Sequence, residues 1–190
     1  MKKKILAACL VVCLLATAVI GTTLAYFTDK TQTKTNTFTM GNVDIELAEK
    51  QWDEEYPEGI AHVQPSQQIT KDPTVTVVKG SEDCYVFVKL EKGTNVDKYL
   101  SYSIDTGDTG WTPLGEDYEG IYYRSYTTDT ENDVPYTVLT NNQVTVKSNV
   151  AGVADGDNLT LSFTAYAIQS YGFESAEQAW TAYNTQNSVG

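Results

Sequence analysis

Histidine is nearly absent from this chain of 190 residues: His62 stands alone. That excludes the HExxH zinc-protease pattern, which needs two imidazoles on one helix face to hold the metal. Cysteine is almost as scarce, with only Cys9, Cys13 and Cys84. The first two sit in an apolar N-terminal run. Cys84 lies in the strand-like CYVFVKLE, where a buried thiol is inert rather than nucleophilic. No GxSxG elbow marks a hydrolase serine. Basic side chains are few as well: 13 Lys and Arg stand against 25 Asp and Glu, for a net charge of −12. A surface of that sign repels nucleic acid and anionic lipid, so neither is expected as a partner. Two-carboxylate catalysis stays open on composition alone, although nothing in the spacing brings a particular pair of acids together. The expectation is a protein that is not an enzyme.

What is present is most organised at the N-terminus. Lys2, Lys3 and Lys4 precede an apolar run over residues 5–20, and Gly21, Thr22, Thr23, Leu24 and Ala25 follow before the first acidic residue, Asp29. This is the basic, apolar, small-residue order of a secretory signal peptide. Cleavage is expected after Ala25, with the bond after Tyr26 as the alternative. A retained membrane anchor competes with this reading, but the run falls short of the about 20 residues a span needs. Leu6, Ala7, Ala8 and Cys9 also match the pattern before a lipid-modified cysteine, yet the chain stays apolar well beyond Cys9, where a lipoprotein turns polar. Export makes the protein secreted, at the cell surface or in the extracellular matrix, with membrane contact only through the signal peptide before cleavage.

Removal of the leader takes three lysines with it and leaves 10 basic against 25 acidic residues, a net charge of −15. Cys84 is then the last cysteine, so no disulfide within the chain can form. A core must hold the fold, and about 165 residues can bury about 70% of the unfolded surface. The division expected is a signal peptide over residues 1–25, an extended segment over 26–40 and one domain over 41–190.

Between Phe27 and Phe38 the chain reads FTDKTQTKTNTF, polar and threonine-rich, which favours extended backbone but offers no face to pack. Alternation begins at Phe38 and Met40 and changes parity at Gly41, as a bulge would place it, to continue in Val43, Ile45 and Leu47. Residues 48–68, with the acidic run Asp53, Glu54 and Glu55, read as a loop with a short helix. Strands are expected over residues 74–78, 84–91, 99–104, 121–127, 136–139, 143–147 and 159–169, separated by Gly, Asp, Asn and Pro. In the last of these Leu159, Leu161, Phe163, Ala165 and Ala167 form one buried face. Only the end is helical: Ser175 caps with Gln178 three residues on, and Ala176, Ala179, Trp180 and Tyr183 follow at helical spacing. Many short strands between turns predict an all-β protein, a jelly-roll-like antiparallel β-sandwich with a short C-terminal helix. No internal repeat appears, and the C-terminus carries no sorting or anchoring tail.

Two groups of side chains invite ligands. Asp129, Glu131 and Asp133 alternate, and Asp155 and Asp157 flank a glycine, so these five are the calcium candidates, calcium being the one cofactor composition admits. The first set fails the EF-hand template, with Val134 where glycine is required and Thr140 where the closing glutamate belongs. Tyr118, Tyr122, Tyr123 and Tyr126 cluster near Trp111. They form either a sugar platform, with Trp111 and Tyr122 as its ligand residues, or the filling of a core.

The segment LAYFTDKTQTKTNTFTMGNVDIEL, residues 24–47, resembles the start of the TasA and camelysin family of Gram-positive bacteria, in Phe27, Asp29, Asn36, Phe38, Gly41 and the alternating run from Val43. Lys71, Asp72, Pro73 and the later YVFVKL are similar to the same group, and AYAIQSYGFESAEQAW, residues 165–180, looks like the C-terminal signature of related exported proteins. The resemblance implies a leader cut by a dedicated signal peptidase, SipW, and jelly-roll subunits that join into matrix fibres by strand addition, alone or with other matrix and surface proteins. Residues 27–39 would be the added strand, with Phe27 and Phe38 as anchors and Gly41 reorienting the chain. The same segment could instead pair within its own subunit as an edge strand. A monomeric carbohydrate-binding or adhesive module is the alternative function, and a camelysin-like metal-dependent protease a further one, against which stands the lack of any recognisable zinc site.

Overall fold

A computed structural model describes residues 42–60, 63–148 and 159–187. In chain order its elements are β1 (Ile45–Ala48), α1 (Lys50–Glu55), β2 (Gln68–Thr70), β3 (Thr74–Val77), β4 (Cys84–Lys92), α2 (Val96–Tyr99), β5 (Leu100–Ser101), β6 (Thr112–Pro113), β7 (Ile121–Tyr126), β8 (Val134–Thr137), β9 (Gln143–Val146), β10 (Leu161–Gln169) and α3 (Ala176–Asn187). Every strand pairing is antiparallel. The strands form three sheets, ordered β1-β3-β8, β10-β4-β7-β6 and β2-β9-β5. The architecture is the expected all-β sandwich with a C-terminal helix. No helix among the described residues is long and apolar enough to cross a membrane.

The longest ladder pairs β4 with β10 over all nine residues of each, from Leu161 opposite Lys92 to Gln169 opposite Cys84. Side chains alternate across a strand, so this sheet has two faces. On one face Cys84, Val86 and Val88 of β4 and Phe163, Ala165 and Ala167 of β10 join the main core with Ile45, Val75, Val77 and Val146. On the other face Phe87, Tyr166, Ile168 and Ile121 meet Ala176, Ala179 and Trp180 of α3. The expected single buried face of β10 is therefore only half of the arrangement. Trp180 lies on Phe87 with ring centroids 5.0 Å apart and meets Tyr166 edge-on at 5.1 Å. The helix starts as expected, with Gln178 N–H donating to Ser175 Oγ at 3.2 Å, while the Gln178 side chain reaches back to Glu174 N–H at 3.1 Å.

Three local expectations needed correction. The strand expected over residues 99–104 begins instead as helix α2, in which Tyr99 N–H donates to Asn95 O and Val96 is fully buried. Only Leu100 and Ser101 join a ladder, followed by a bridge from Ile104 to Leu139. The ladder expected over 136–139 lies earlier, at Val134–Thr137. Strands β2 and β6 were not anticipated. Pro113 in β6 is tolerated because that strand is an edge and owes the ladder little.

Helix α1 buries no residue of its own and is held from outside. Asp72, 8% exposed, accepts hydrogen bonds from Gln51 N–H at 2.9 Å and Trp52 N–H at 3.0 Å, supplying from a distant loop the cap that Glu49 does not. Next to it Lys71 is buried, forms an ion pair with Glu49 at 2.9 Å and places its ammonium 4.4 Å from the centre of the Trp52 ring. Breaking a pair with one buried partner leaves a stranded charge, so the adjacent residues Lys71 and Asp72 fix the acidic helix to the sandwich. Asp72→Ala should lower stability by about 1–3 kcal/mol, the cost of leaving bonds to a charged acceptor unmade. Urea unfolding measures it, with Asp72→Asn losing less because one acceptor oxygen stays. Equal loss from both variants would remove the capping role.

Candidate functional site

Distant parts of the chain meet at the turn over residues 78–83. Gly80 adopts φ of +80°, a left-handed conformation that costs glycine no Cβ clash. The root of the N-terminal segment is fastened here: Val78 N–H donates to Asp44 O at 2.9 Å and Glu82 N–H to Asn42 O at 3.0 Å. Ser81, 3% exposed, accepts from Asp44 N–H at 3.0 Å and donates back to Asp44 O at 3.2 Å. The loop after β7 joins the same turn, with Gly80 N–H donating to Asp129 O at 2.7 Å and Lys79 N–H to Asp133 Oδ1 at 2.9 Å. Asp83 accepts from both the N–H (2.8 Å) and the hydroxyl (2.9 Å) of Thr128. From the end of β10, Ser170 donates its N–H and hydroxyl to Asp83 O at 2.9 and 3.1 Å, and Gln169 Nε2 bonds to Glu82.

Two of the calcium candidates are used in this junction. Asp129 accepts from Glu131 N–H at 2.8 Å and Asn132 N–H at 3.0 Å, closing its own loop, while Asp133 serves Lys79. Backbone donors hold both Asp129 and Asp83 below their ordinary carboxylate value of 3.8: Asn132 and then Glu131 for the former, Thr128 for the latter. Glu131 is exposed. No group of three His, Cys, Asp or Glu that could hold a metal occurs among the described residues. Asp155, Asp157 and His62 lie outside the described residues, as do Ala25, Tyr26, Phe27, Phe38 and Gly41.

The aromatic candidates separate. Trp111 is 1% exposed, donates Nε1–H to Thr137 O at 2.8 Å and meets Tyr136 edge-on at 6.2 Å. It belongs to the core, which leaves no ring face for a sugar. Tyr126 is buried, and its hydroxyl accepts from Asp129 N–H at 2.9 Å. Tyr118 and Tyr123 pack around the α3 cluster. Tyr122 is half-exposed and lines a cleft of about 630 Å³, which Tyr102 and Lys92 also line. Sequence reasoning missed Ser81, Asp83 and Asp72 as organising residues; for the first two the only signal was the Gly-Ser-Glu-Asp turn between two apolar runs.

The family model of the camelysin metallo-endopeptidases matches residues 1–108. The chain belongs to this family. It is the family that includes TasA, and membership makes this a TasA-like extracellular protein at family level. No curated protein and no solved structure matches it. The family description implies a metal, and zinc is the metal such endopeptidases use. A catalytic zinc uses three protein ligands, commonly His with Glu or Cys. Here His62 is the sole imidazole in the chain, and burial, with the neighbouring Asp83 charge adding, pushes the Cys84 thiol up to about 12. The described residues do not fit such a site.

Depressed carboxyl values make the junction acid-sensitive in a defined direction. The stabilisation from Asp83 and Asp129 is complete above the unfolded value and is lost as pH falls through the lower folded values. Protection of the Thr128, Glu131 and Asn132 amides, their exchange relative to that of the unfolded chain at the same pH, should therefore persist at pH 4 and be lost only below 3.8. Midpoints above 3.8 would contradict the bonding described. Cys84 should resist alkylation in native protein at pH 8 and react on unfolding in urea, as a thiol-specific reagent will report.

Proposed function

We propose that this camelysin-family protein is a structural component of the cell surface or matrix that joins copies of itself through residues 27–39, released at a new N-terminus by cleavage after Ala25. The observation that carries this reading is β10. It is nine residues long, buried on both faces at Ala165, Tyr166, Ala167 and Ile168, and it stands last in the order β10-β4-β7-β6. A strand at the end of a sheet is where an extended segment adds, gaining affinity from main-chain hydrogen bonds. The root at Asn42 and the end of β10 share the turn over residues 78–83, which supports a donor that leaves the domain from a rigid base. Phe27 and Phe38 are its anchors, and Gly41 sets its direction.

Deleting residues 27–36 should leave a folded monomer that no longer extends fibres under the electron microscope. Fibres of undiminished length from that variant would reject the donor role and favour pairing of the segment within its own subunit. The exported chain carries −15, so fibre growth should speed up in salt as repulsion is screened.

A further inference from the structure

The cleft beside Tyr122 is used by neither the junction nor the β10 edge. Its volume of about 630 Å³ falls in the range of about 300–1,000 Å³ typical of small-molecule sites. It opens where the end of the β4–β7 ladder faces residues 100–104. Gly120 shapes it: with φ of +78°, it donates no Cβ, and a Cβ there would lie 2.9 Å from Leu90 O, so only glycine lets the two strands close at this point. Leu90, Leu100 and Ile104 give an apolar floor continuous with the main core. Tyr102 and Tyr122 also line the cleft, half-buried and packed against that core.

Around these rings stand two lysines and two acids, of which Lys92 and Asp97 form an ion pair. Lys92 forms an ion pair with Asp97 at 2.6 Å, Lys147 donates to Asp97 O at 2.5 Å, and Glu119 supplies the second carboxylate. Burial raises the Tyr102 phenol above its ordinary value, while Lys92 opposes that shift and Asp97 and Tyr122 add to it, so these groups surround one space. In a chain of net charge −12 this is a neutral place, rich in donors and acceptors held over an apolar floor.

We propose that this cleft binds a neutral oligosaccharide. Tyrosine rings offer apolar faces for the C–H side of a pyranose, and a paired ammonium and carboxylate suit vicinal hydroxyls, donating to one and accepting from the other. An anionic ligand gains little, because both lysines are already engaged and Glu119 repels it. A peptide backbone would leave the charged pair without a matching partner.

The test titrates the exported chain, labelled for NMR, with millimolar maltotriose, cellotriose and the trimer of N-acetylglucosamine. At least one should shift the amides of residues 90–104 and 119–122 saturably. Asp97→Asn, an exposed change that should leave the urea midpoint unchanged, should weaken binding about tenfold or more, as loss of a charged hydrogen bond predicts. Tyr102→Ala should do the same through the ring. The proposal is overturned if none of the three binds, if binding survives both substitutions, or if shifts fall outside the cleft. It is equally overturned if a peptide of residues 27–39 occupies the cleft while the sugars do not.

Discussion

Strand β4 is buried on both faces, and the rest of the molecule is arranged to satisfy that requirement. A strand with Val86 and Val88 on one side and Phe87 on the other needs two apolar partners, because either face left in water forfeits the burial that offsets the entropy of ordering the chain. One partner is the opposite side of the sandwich, centred on Val75 and Val77. The other is α3, whose Trp180 lies on Phe87. The helix is thus a third layer rather than a C-terminal ornament. Its position also explains why β10 changes along its length from alternating burial at Leu161 and Phe163 to continuous burial from Ala165 to Ile168.

Features whose physics is local were legible in the sequence. The apolar runs that became β3, β4, β7 and β10 announced themselves through β-branched and aromatic residues, and Ser175 with Gln178 announced the start of α3. What escaped depends on partners far along the chain. Asp72 caps a helix 20 residues away, Asp83 serves Thr128 at a separation of 45, and Ser170 returns to Asp83 across 87. No periodicity encodes such pairings. Trp111 was ambiguous for a related reason: a large ring with one polar atom suits a platform or a core equally until Thr137 O is found to receive its N–H. Tyr99 reads as the start of a strand in the sequence, whereas the burial of Val96 and the Tyr99 N–H bond to Asn95 O place it in a helical turn.

The acidic residues change meaning once their partners are visible. Spacing alone made Asp129 and Asp133 metal candidates, and in the structure each gives one oxygen, Oδ1, to backbone N–H groups. Carboxylates accept several hydrogen bonds and donate none, which makes them efficient at closing turns that lack ladder partners.

The turn over residues 78–83 also defines a path for force. Tension applied to the chain ahead of Asn42 would enter through Glu82 and Val78, pass to β10 through Ser170 and Asp83, and pass to the β7–β8 connection through Gly80 and Asp129. Three branches share the load at one point, so no single strand is peeled from its end. The resistance of such a joint is a rate of rupture rather than an equilibrium stability, and it is set by how many of these short bonds must break together. A protein pulled by its neighbours would be strongest where its longest-range hydrogen bonds meet.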